Sequence, residues 1–182
     1  MECAKLNRYG LLSVSGADAR DFLHAQLTVD VQNLPPQRAA LAGWCSAKGR
    51  LLATLLVVPA PEGFLLQVAR DLAPAVAKRL AMFVLRSKVK VADVSDAWAQ
   101  FGLWGAPEPA GVTWDAGRAR IPRGEGRTLC FEPAGAESLV PNAEDEARTQ
   151  QEIRAGRPLI TAASQEKFVP QMVKLEQLDA VD

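Results

Sequence analysis

One histidine, three cysteines and a short run of cations are the residues of this chain best suited to chemistry. The histidine is His24, so a Ser-His-Asp triad or a Cys-His pair would have to be built on it. It stands in an amphipathic stretch with no nucleophile beside it, which reads as an ordinary helix histidine. A site of several histidines is excluded. Cys3, Cys45 and Cys130 contain no C-x-x-C pair and make an odd number, so neither a zinc knuckle nor a disulfide framework is suggested. Arg86, Lys88 and Lys90 alternate, and on a strand they would share one face. Such a row is either a solvated strand face or a seat for an anionic ligand. Tyr9 and four tryptophans offer stacking surface. The glycine motifs are weak. Lys48-Gly49-Arg50 lacks the rest of a phosphate loop, and RGEG at 123–126 lacks a strand-then-helix setting. Both read as turns.

Composition narrows the classes. Lys plus Arg and Asp plus Glu number 21 each, and this balance argues against a strongly basic nucleic-acid binder; no direct DNA binding is expected. The odd cysteine count fits a reducing compartment, and MECAKLNRYG has no apolar leader core, so a cytoplasmic location is expected. LLATLLVVPA at 51–60 is too short to cross a bilayer, and no membrane partner is expected.

The elements that must position these residues follow from periodicity. Leu11, Leu12 and Val14 read as a strand. Ser15 and Asp18 suggest a capping box, with a helix from 16 to 27 whose stripe is Ala19, Phe22, Leu23, Gln26 and Leu27. Residues 39–45, 50–58 and 64–68 read as strands, joined by a turn at 47–49 and a loop at 59–63. Asp71 is placed to cap a second helix carrying Leu72, Ala73, Val76, Ala77, Leu80, Phe83 and Val84, with Pro74 in its first turn. Strands are expected at 89–94, 98–104 and 128–131. Residues 105–127, rich in Gly, Pro and Ala, read as a loop with at most one weak strand near 119–121. EDEARTQQEIRAG reads as a helix stopped by Gly156. The order predicts an α+β fold with mainly antiparallel sheets.

Four stretches together carry a resemblance: SGADARDFLHAQLTVDV, WCSAKGRLLATL, RSKVKVADVS, and EIRAGRPLI followed by FVPQMVKLE. In this order they resemble the YgfZ family, folate-binding proteins related to the T-protein of the glycine cleavage system. The resemblance implies a T-protein-like N-terminal region. It places a first lobe at 1–48 and 141–182 and a second at 49–140. In the family, the segment matching FVPQMVKLE leads to a K-G-C-Y-x-G-Q-E motif and a C-terminal β-barrel. The sequence stops at Asp182, before both, so a truncated chain is expected, with an apolar face near 168–181 open to self-association. The resemblance also implies folate or tetrahydrofolate as cofactor. It points to Tyr9, Arg86, Lys88, Arg148 and Gln171 as binding residues. Arg148 stands where family members often carry Trp, and Lys174 where they carry Asn. No catalytic or metal-binding residue is assigned. The role implied is that of an accessory protein to iron–sulfur cluster assembly or repair, affecting tRNA modification indirectly through iron–sulfur proteins. The alternative is an aminomethyl transferase, which needs a carboxylate near the folate.

Overall fold

The structure is a computed structural model that describes residues 1–146, 149–150, 157–178 and 180–181. Two five-stranded antiparallel sheets form its frame. The first has the order β3 (Ala40–Cys45), β4 (Leu51–Ala60), β5 (Gly63–Ala69), β2 (Tyr9–Ser15), β6 (Lys90–Asp93). The second has the order β1 (Glu2–Lys5), β7 (Trp98–Trp104), β10 (Arg127–Pro133), β9 (Arg118–Gly124), β8 (Thr113–Asp115). Neither sheet closes into a barrel. The α+β class expected from element order is what the chain adopts.

Register decides the layers. Leu12, Val14, Leu55, Val57, Leu66 and Val68 of the first sheet pack under helices α1 (Ala19–Gln26) and α2 (Ala73–Ala81). Their neighbours Leu11, Leu56, Val58 and Leu65 point the other way and meet Ala119, Ile121, Leu129 and Phe131 of the second sheet. The first sheet is thus covered on both faces, which is why β4 is apolar almost without interruption and buried through Pro59. The outer face of the second sheet carries Cys3, Ala99, Phe101 and Cys130, with Leu139 packed against them.

Several local expectations change. Ser15 ends β2 and makes no cap. Asp18 precedes α1, and its carboxylate instead accepts the Lys88 N–H at 2.8 Å, drawn there by the close passage of Gly16 (φ +113) under Lys88. Asp71 accepts the Ala162 N–H at 3.1 Å, and α2 starts one residue after Leu72. Pro59, Ala60 and Gly63 belong to strands, so the loop expected at 59–63 shrinks to Pro61-Glu62. The largest correction is at 105–127, where β8 and β9 form a hairpin turning at Ala116 (φ +48) and Gly117 (φ +74). The boundary expected after residue 48 falls between β3 and β4, which pair from Ala40↔Val57 to Cys45↔Leu51. The helix expected at 144–156 lies largely outside the described residues.

The apolar face expected at 168–181 is in large part covered. Two short 3₁₀ turns, Pro170–Val173 and Leu175–Leu178, fold the tail back onto the first sheet. Leu175 and Ala180 are buried in the helix-side core, and Thr28 Oγ1 donates to the Ala180 carbonyl at 2.5 Å. Met172 remains exposed.

Candidate functional site

The first sheet turns a row of side chains toward the second: Tyr9 on β2, Gln67 on β5, Thr54 and Leu56 on β4, and Leu41 on β3. The pairings Leu41↔Leu56, Leu56↔Gln67 and Tyr9↔Ala69 put them on one face. Arg123 of β9 and the strap Arg157-Pro158-Leu159 roof this row and enclose a cleft of about 30 Å³.

The strap is held by one hydroxyl. Thr54, the polar residue within an apolar strand, is buried. Its Oγ1 donates to the Pro158 carbonyl at 3.1 Å and accepts the Ile160 N–H at 3.1 Å. The Ile160 side chain is buried in the helix-side core. Arg157 Nη2 donates to the Arg123 carbonyl at 2.5 Å and ties the strap to the second sheet. Below it, Gln67 Nε2 donates to Gln100 Oε1 at 2.8 Å, and Gln100 Nε2 donates to the Tyr9 carbonyl at 3.2 Å. Gln100 is buried, and its amide, bonded at both ends, couples β5, β7 and β2. The cleft offers one phenol ring, one amide and two guanidinium groups, and no carboxylate lies among the described residues of its lining. That chemistry suits a flat, hydrogen-bonding ligand with an anionic tail.

Of the residues singled out in the sequence, Tyr9 lies in this cleft, half-buried. Gln171 is exposed on its 3₁₀ turn and is not part of the lining. Arg86 and Lys88 stand in the loop before β6, not on the strand, so they do not align with Lys90 as alternation implied. β6 pairs only with Leu12–Ser15, the half of β2 away from Tyr9. The cations therefore sit about 20 Å from Tyr9 along the strand. Arg86 instead borders an open depression with Asp18, Leu85 and Ser87. Arg148 lies outside the described residues. His24 is a partly exposed helix residue whose Nδ1 is 3.3 Å from Asp30 Oδ1. Among the described residues no group of His, Cys, Asp or Glu is placed to hold a metal ion. Sequence reasoning passed over Gln67, Arg123 and Arg157. Gln67 and Thr54 carried a usable signal, since each interrupts an otherwise apolar strand. Arg157 lies within the quoted EIRAGRPLI.

The family of the GCVT N-terminal domain matches residues 4–110, more than half of the chain. The chain belongs to this family, among its YgfZ members. The tRNA-modifying protein YgfZ of Serratia proteamaculans (strain 568) is 28% identical over 97% of this chain and 60% of its own length. The tRNA-modifying protein YgfZ of Klebsiella pneumoniae (strain 342) is 28% identical, over 97% of this chain and 61% of its own length. The chain thus spans about 60% of the length of the curated relatives it matches. The glycine cleavage system aminomethyltransferase T of Bartonella henselae superposes with a TM-score of 0.64 at 14% identity. It covers 86% of this chain and 46% of that one, a likeness of fold. The resemblance carried by the four motifs and the T-protein-like architecture both hold.

Proposed function

We propose that the cleft beneath the 157–160 strap is a tetrahydrofolate site, and that the chain is a folate-binding accessory protein. The observation that carries this reading is the convergence of Tyr9, Gln67, Arg123 and Arg157 on one cleft in a chain of the GCVT N-terminal domain family. Tyr9 gives the pterin a face, Gln67 gives its edge an amide, and the guanidinium groups meet the carboxylates of the glutamate tail. A cleft of about 30 Å³ has room for little more than one water, whereas ligand sites typically hold ~300 Å³ or more. Binding therefore requires the strap to lift from Thr54.

On this reading the process served is tRNA modification, as in the tRNA-modifying relatives, reached through assembly or repair of iron–sulfur proteins in the cytoplasm. The aminomethyl transferase alternative needs an acid beside the folate. The described residues of the lining supply none, so the non-enzymatic reading is the one put forward.

Calorimetric titration of the chain with tetrahydrofolate tests the proposal. Saturable binding is expected, weakened about tenfold by Tyr9→Ala and by Arg157→Ala. Absence of saturation, or variants that bind as the native chain does, would refute it.

A further inference from the structure

A second cleft lies between the two sheets at the opposite end of β2. Trp98, the first residue of β7, and Trp114, in the middle of β8, form its aromatic wall. Their ring centroids are 5.9 Å apart with planes at 77°, an edge-to-face pair. A right-angled corner of this kind leaves indole surface free for a third ring to stack, with its edge toward the neighbour. Trp114 is fixed in place because its Nε1–H donates to the Pro59 carbonyl at 2.8 Å. Leu65, Ala60 and Pro61 complete the apolar side of a cavity of about 370 Å³.

The polar groups are few and of one character. Ser13 and Ser15 alternate on β2 and face the second sheet. Their hydroxyls, and the exposed carboxylate of Glu62 at the β4–β5 turn, have no hydrogen-bond or ionic partner among the described residues. Among the described residues, Glu62 is the sole charged one in the lining. An anionic ring would be repelled there, and a neutral ring would leave the carboxylate unused. A positive arm finds indole faces, two acceptor hydroxyls and the carboxylate at once.

We propose that the Trp98–Trp114 corner is a second ligand site, for a small aromatic amine: one flat ring carrying a cationic arm. The ring stacks in the corner, and the ammonium group donates to Ser13, Ser15 and Glu62. This site shares no lining residue with the cleft at Tyr9, so the two bind independently.

The test uses three probes that differ only in the arm: 2-phenylethylamine, 2-phenylethanol and phenylacetate, titrated into the whole chain by calorimetry and tryptophan emission. The amine is expected to saturate and to bind about tenfold tighter than phenylacetate, with the alcohol between. Glu62→Gln, at an exposed turn position, should cut the amine's preference about fivefold and leave the alcohol unchanged. It should leave tetrahydrofolate binding unchanged as well, so the outcome is separable from the folate reading. Equal affinities for the three probes, a preference that survives Glu62→Gln, or no saturation by any probe would overturn the proposal.

Discussion

Replacing Glu132 by glutamine should be among the most damaging single-atom changes available in this chain. The carboxylate lies on β10 with no exposed surface. Burial alone pushes its pKa up, but the Ser138 N–H at 2.6 Å, the Ser138 hydroxyl at 2.8 Å and Arg120 Nη2 at 2.9 Å outweigh burial and hold it below the usual range. Arg118 Nε stands 3.9 Å away and is itself buried without a hydrogen bond. Glu132→Gln keeps the shape, removes the charge and turns an amide donor toward groups that also donate. Removing one partner of a buried ion pair costs about 3–5 kcal/mol. For a chain of this size that lowers Tm by about 6–20 °C. Circular-dichroism melts at neutral pH measure it. The acid limb supplies a second check. A carboxylate whose pKa is depressed by folding contributes stability above its unfolded value of about 4.3, and that contribution disappears as pH falls through the lower folded value. The gap between native and variant melts should therefore start to narrow as pH falls below about 4.3 and close only below the lower folded value. A neutral-pH loss under about 2 °C, or a gap that persists through the acid limb, would refute the reasoning.

Thr54→Val removes the hydroxyl that holds the strap and strands the Pro158 carbonyl and the Ile160 N–H, at a cost of about 1–3 kcal/mol. The Ile160 amide should then exchange its hydrogen roughly tenfold faster, and unchanged protection would count against the strap. Leu85 is 88% exposed at φ +49, so Leu85→Gly should relieve about 1 kcal/mol of backbone strain and raise Tm by roughly 2–4 °C; a fall would contradict this. Burial pushes the Cys45 thiol up, and burial with Glu132 pushes Cys3 up against a weaker opposing pull from Arg120. Both should be alkylated by iodoacetamide more slowly than free cysteine at neutral pH, with rates rising into the alkaline range, as peptide mass spectrometry would show.

Most of the first sheet and both described helices were legible because their burial is one-sided or complete, and each pattern has its own period. The β8–β9 hairpin was not. β9 alternates Ala119 and Ile121 inward with Arg118 and Arg120 outward, and the outward cations look solvated until Glu132 arrives from a separate strand. The capping residues misled for a related reason. Asp18 and Asp71 stand where a helix start is expected, yet backbone donors from Lys88 and Ala162 reach them. The candidate cleft was visible only through Tyr9. Its guanidinium groups come from β9 and the strap, brought onto the first sheet by pairings that local sequence does not encode. The Arg86–Lys88 run was legible as a charge cluster. Its distance from Tyr9 depends on which half of β2 receives β6, a matter of register.

The seat of β1 has a consequence for how the molecule is made. Its four residues are made well before their hydrogen-bonding partner β7, with Glu2 opposite Trp104. Roughly a hundred residues must be synthesised before that edge can zip. At ~5–20 residues per second, the nascent β1 segment spends several seconds or more without its partner strand, bearing Cys3 in the open. Chaperones and thiol reagents would meet it there before the finished fold hides it.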